Sequence, residues 1–158
     1  MTIRSLLAPL SLLTAAALAV PAVAQEDAAL QRARRLLRSA PLIDGHNDLA
    51  WVIREDPKAP LDVEAYDLRK RTTGDTDLER LRQGGVGAQF WSVYVPGEIK
   101  DSSWAQVQLE QIDIARRVIE RYPEALELAT TADEIDAAFK KGKIASLLGM
   151  EGGHAIEN

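Results

Sequence analysis

Cysteine is absent from the 158 residues. That excludes a disulfide framework, a thiolate nucleophile, thiolate metal ligands and a lipid-modified N-terminal cysteine. Histidine is almost absent: His46 and His154 are the two. Positive charge is in short supply as well. Lys and Arg number 19 against 24 Asp and Glu, a net charge of −5. This balance argues against nucleic-acid binding, since phosphate contacts need clustered Lys and Arg. The short run Arg32, Arg34, Arg35, Arg38 reads as the solvated face of a helix. Internal repeats and low-complexity tracts are also missing.

What is present suits a folded chain. Hydrophobic residues make up 46% and charged residues 27%, too apolar for disorder and long enough for about one domain. Arg4 precedes an apolar run from Leu6 to Val20, broken by Pro9, Ser11 and Thr14, and Ala22-Val23-Ala24 follows. This pattern predicts that residues 1–24 are a secretory signal peptide cleaved before Gln25. A membrane anchor would need about 20 apolar residues without such breaks. The mature part, 25–158, is then exported, periplasmic or extracellular.

Along that part, helical spacing of apolar residues predicts helices over 26–38 and 103–121. Thr76-Asp77-Leu78-Glu79 and Thr131-Ala132-Asp133-Glu134 have the form of capping boxes. They predict a short helix to Gln83 and another through Lys141. Apolar, β-rich runs predict strands at Leu42 onward, Val86–Val95 and Ile144–Met150. Residues 56–75, with Pro57, Pro60 and Gly74, read as a long loop. Strands alternating with helices predict an α/β fold with a parallel sheet. Three such strands leave edges that need partners, so the expected whole is a larger α/β domain of which this is the N-terminal part.

Two places combine a strand's carboxyl end with metal-ligating residue types. His46-Asn47-Asp48 follows the first strand, and positions two apart on a strand share a face. Imidazole plus carboxylate suits zinc and similar divalent ions. Spacing alone does not choose between a metal pair and a pair that caps a turn. Glu151 follows the third strand, with Gly152-Gly153 behind it, and taken alone it reads equally as a surface glutamate in a glycine loop. In a barrel these ends are where catalytic groups sit. Trp51, Trp91 and Trp104 read as core or pocket wall. Glu124, Glu127 and the Lys140, Lys141, Lys143 cluster read as solvated.

The segments Ile43-Asp44-Gly45-His46-Asn47-Asp48-Leu49-Ala50-Trp51 and Gly149-Met150-Glu151-Gly152-Gly153-His154 resemble the membrane (renal-type) dipeptidase family of metallopeptidases. Gly84-Gly85-Val86-Gly87-Ala88-Gln89-Phe90-Trp91 is similar to its second strand. Ala50 stands where a proline is common. The resemblance implies the N-terminal portion of an amidohydrolase-like (β/α)8 TIM barrel, incomplete in this chain, with two Zn2+ ions per complete site. It implies His46 and Asp48 on the first zinc and Glu151 bridging both. It implies hydrolysis of dipeptide substrates by a metal-activated water, and allows a homodimer of the full-length protein. The family's further zinc histidines and substrate-binding residues lie later in its chain, so residues 25–158 alone are expected to be inactive. His154 receives no zinc, and Asp44 is expected to support the turn without a metal bond. Two alternatives remain at this stage. One is another barrel amidohydrolase, which typically carries H-x-H after the first strand. The other is a non-catalytic exported binding module, separable by metal content.

Overall fold

Among the described residues the sheet is wholly parallel, and the two long apolar runs, Val86–Tyr94 and Ile144–Glu151, form its centre, where both faces can be covered. The computed structural model describes residues 27–99 and 103–157. The expected signal peptide at 1–24 lies outside the described residues. Strands β1 (Leu42–Asn47), β2 (Val86–Tyr94), β3 (Leu126–Leu128) and β4 (Ile144–Glu151) pair in the order β1-β2-β4-β3. Because all pairs are parallel, the carboxyl ends of β1, β2 and β4 share one edge.

Helix α1 (Ala28–Ser39) is capped by Asp27, and its apolar stripe buries no residue among those described. Helix α2 (Leu49–Arg54) leaves β1 directly. Helices α3 (Leu78–Gln83), α4 (Trp104–Arg121) and α5 (Ala132–Lys140) separate the later strands. A 3-10 turn covers Gly153–Ile156. The sequence reading contained neither α2 nor β3. Each is short, and each depends on a distant partner: Ile53 of α2 is fully buried, and β3 exists through its register with β4, Leu126 opposite Ile144.

The main core lies where α2 and α4 meet the sheet. Leu49, Ala50 and Ile53 of α2 and Ile114, Ala115 and Val118 of α4 pack with Trp91 and Val93. Burying each large aliphatic side chain contributes about 1.5–3 kcal/mol. A second cluster consists of alanines: Ala88 and Ala145, neighbours in register, meet Ala138 of α5 and Ala129. The pairing slips between Leu42 and Ile43, which face Val86 and Ala88. That leaves Gly87 as the extra residue. A side chain there would lie 2.7 Å from Pro41 Cα, so the bulge requires glycine.

The long loop 56–77 is tied down rather than loose. Asp56, Asp62 and Asp67 each accept hydrogen bonds from main-chain amides two or three residues on, a turn-forming use of aspartate. Val63 and Leu68 are buried. The Leu68 amide donates to the Tyr122 hydroxyl at 2.8 Å. Burial pushes that phenol's pKa up from its ordinary value. The Arg69 and Arg121 guanidinium groups sit 4.6 and 5.4 Å from the same ring.

Two local expectations need correction. The α3 cap is Asp77, whose carboxylate accepts from the Arg80 amide at 2.8 Å, and not Thr76, whose hydroxyl is engaged by the Asn47 side chain. Glu127 is not simply solvated: it lies between Lys141 (2.5 Å) and Lys143 (3.0 Å), which lower its pKa through their hydrogen bonds. The capping box at Thr131 and Glu134 is present as read. Trp91 is core, with 2% of its surface exposed, whereas Trp104 is exposed.

Candidate metal centre

Strand β2 lies between β1 and β4, so the β1 and β4 backbones are two strand spacings apart, about 10 Å. Only long side chains reaching across β2 can meet over that gap. His46, the penultimate residue of β1, and Glu151, the last of β4, do so. Ring Nδ1 lies 3.6 Å from Glu151 Oε2. Ring Nε2–H donates to Asp48 Oδ2 at 3.0 Å. One ligand atom from each of His46, Asp48 and Glu151 lies within 4.8 Å of the others. All three side chains are about half exposed.

The pair His46 and Asp48 does not converge by strand alternation. β1 ends at Asn47, its register having slipped between Asp44 and Asn47, and Asp48 is already the N-cap position of α2. Asn47 makes this turn. Its Oδ1 accepts from the Leu49 amide at 3.1 Å. Its side-chain amide also exchanges hydrogen bonds with the Thr76 hydroxyl at 3.0 and 3.2 Å. The loop 56–77 is thereby fastened to the turn. Asp44 accepts from the His46 amide at 3.2 Å, a turn-supporting position.

Electrostatically the cluster favours a cation. The His46 pKa is raised above its ordinary 6.5, first by the hydrogen bond to Asp48 and by that carboxylate's charge, then by Glu151 and Asp44. Carboxylates that draw a proton onto an imidazole stabilise a divalent cation by the same field. One imidazole and two carboxylates, gathered and accessible, are a chemically suitable donor set for zinc. A cleft of about 460 Å³ opens beside it, lined by Asp44, His46, Asp48, Tyr66 and Thr76 among others.

His154 sits apart from the group. Its Nε2–H donates to the Pro96 carbonyl at 3.3 Å, and its ring meets Trp104 edge-on. Gly152 makes the departure from β4 possible, with φ at +99° and the His154 ring packed where a Cβ would stand. Sequence reasoning passed over Ser92 on β2, whose hydroxyl donates to Glu151 Oε2 at 2.9 Å. The available signal was a small polar residue inside the run Phe90-Trp91-Ser92-Val93.

A parallel α/β sheet with an imidazole and two carboxylates gathered at the strands' carboxyl ends fits the barrel-type metal-dependent hydrolases. The comparisons make this specific. Residues 30–158 match the membrane dipeptidase family, peptidase family M19, and the chain belongs to that family. It is 46% identical over 127 residues to Dipeptidase 3 of Rattus norvegicus, covering 80% of this chain and 25% of that one. It is 42% identical over 142 residues to Dipeptidase verJ of Clonostachys rogersoniana, covering 84% and 36%. The crystal structure of dipeptidase AC, a metallopeptidase of family M19, superposes with a TM-score of 0.55 at 27% identity, covering 73% of this chain and 36% of that one. The chain thus spans between a quarter and about a third of the relatives it matches. Its α/β sheet is part of the amidohydrolase-like barrel read from the sequence.

Proposed function

We propose that the protein is an exported, zinc-dependent dipeptidase in which His46 and Asp48 hold one zinc and Glu151 bridges two. The observation that carries this reading is the convergence of the neighbouring donors His46 and Asp48 with the sequence-distant Glu151, all within 4.8 Å, in a member of a dipeptidase family. Bound zinc lowers the pKa of a coordinated water to about 7, supplying hydroxide at neutral pH. The chain's own contribution is to hold the donors. Asn47 and Thr76 fix the turn that presents Asp48. The Asp44 carboxylate holds the main chain at His46. The remaining zinc histidines and the groups that clamp a dipeptide belong, in this reading, to later parts of the barrel.

The test is hydrolysis of a dipeptide panel by the whole protein, with metal analysis alongside. The reading expects zinc-dependent turnover, lost on chelation and restored by zinc. It expects Glu151→Gln to lose most activity together with bound zinc, since the bridging charge is removed. Full turnover by a metal-loaded Glu151→Gln protein would refute the bridging role. A folded whole protein that takes up no zinc would leave a non-catalytic binding module as the better description.

A further inference from the structure

Between the two ligand-bearing strands stands a single buried hydroxyl. Ser92 is 3% exposed and lies opposite Gly149 in the β2–β4 register, two residues before Glu151. Serine is a poor choice for the middle of an apolar strand, because its hydroxyl costs free energy to bury without a partner. A buried serine hydroxyl commonly turns to nearby main chain. Here the proton goes to a carboxylate oxygen, Glu151 Oε2, at 2.9 Å. That oxygen is also the Glu151 atom 3.6 Å from the His46 ring.

We infer that Ser92 is a positioning residue for the metal site. Its hydroxyl donates to Glu151 Oε2, fixing the rotamer that carries the carboxylate across β2 toward His46. The inference rests on the reading of Glu151 as a metal ligand. Three features support it. A hydroxyl has one proton to give, so the bond is directional. A bond from a neutral hydroxyl to an ionised carboxylate is stronger than one between neutral groups. The site on β2 must also be small, because His46 and Glu151 meet across it. Partners that orient metal ligands typically change metal affinity about 10- to 100-fold when removed.

The experiment is a double-mutant cycle in the whole protein. Zinc affinity is measured by competition with a chelator, and the cobalt(II)-substituted form is examined by visible absorption. Ser92→Ala is expected to weaken zinc binding at least about 10-fold and to alter the cobalt spectrum. The metal-free protein should still unfold cooperatively, with its midpoint lowered by no more than the loss of one hydrogen bond explains. In a Glu151→Gln background, the same Ser92→Ala change should have little further effect on zinc affinity, because its partner charge is gone. Wild-type zinc affinity and an unchanged cobalt spectrum in Ser92→Ala, with Glu151→Gln impaired, would overturn the positioning role alone. Additive losses in the double mutant would overturn it too. Unchanged zinc affinity in Glu151→Gln would overturn the ligand reading and this inference with it.

Discussion

Asp77 shows how one residue's surroundings set both its energetic role and its pH dependence. It is 1% exposed, caps α3 through the Arg80 amide and pairs with the Arg80 side chain at 2.7 Å. Those bonds, the amide first, hold its pKa below the ordinary 3.8. A depressed folded pKa gives stability that is present above the unfolded value and lost as pH falls through the folded one. Asp77→Ala should therefore cost about 1–2 kcal/mol at neutral pH. The difference from wild type should shrink as pH falls below about 4. Thermal melts at a series of pH values check this, and a gap independent of pH would contradict it. Sequence reasoning placed the cap one residue early because Thr76 and Asp77 are both good N-cap residues. Thr76 was withdrawn from capping by Asn47, a partner 29 positions away that no local pattern reveals. The same applies to Ser92: its residue type was visible, its partner was not. His46, Asp48 and Glu151, which the structure brings together, were visible as candidates because metal-ligating types at strand ends form a local signal, but spacing alone left a turn-capping pair open and the family resemblance decided between them. The route by which Asp48 reaches His46, through a helix start, was not.

At the scale of elements, strands β1, β2 and β4 and helices α4 and α5 were legible from apolar runs, helical stripes and capping residues. They are long enough for their periods to show. α2 has six residues and β3 three, too few for a period, and both are stabilised by contacts made after folding. The loop 56–77 carries a prediction at this scale. Its anchor is the Leu68 amide on the Tyr122 hydroxyl, in a site where Tyr122 is fully buried. Tyr122→Phe keeps the ring against Arg69 and Arg121 but leaves that amide without its acceptor, at a cost of about 1–3 kcal/mol. Hydrogen exchange should speed up in residues 62–70 more than in the α4 segment 107–119. Uniform acceleration across both would show that the loop is not held by this bond.

For the whole molecule, the sheet's open parts matter most. Leu42, Ile43 and Met150 are apolar strand residues between 43% and 52% exposed, and β1 pairs on one side only among the described strands. A barrel closes by covering such edges and takes about 250 residues. The chain spans 25% of rat Dipeptidase 3. Residues 25–158 expressed alone should therefore show no chelator-sensitive dipeptidase activity and a tendency to self-associate. Light scattering and a dipeptide assay beside the whole protein test both. The central claim is that His46, Asp48 and Glu151 bind zinc, and diffraction from the zinc-loaded whole protein across the zinc absorption edge tests it most directly. The account predicts an anomalous peak about 2.0–2.2 Å from ligand atoms of all three residues. Well-ordered zinc elsewhere in the protein, with these three side chains bound to none, would contradict it.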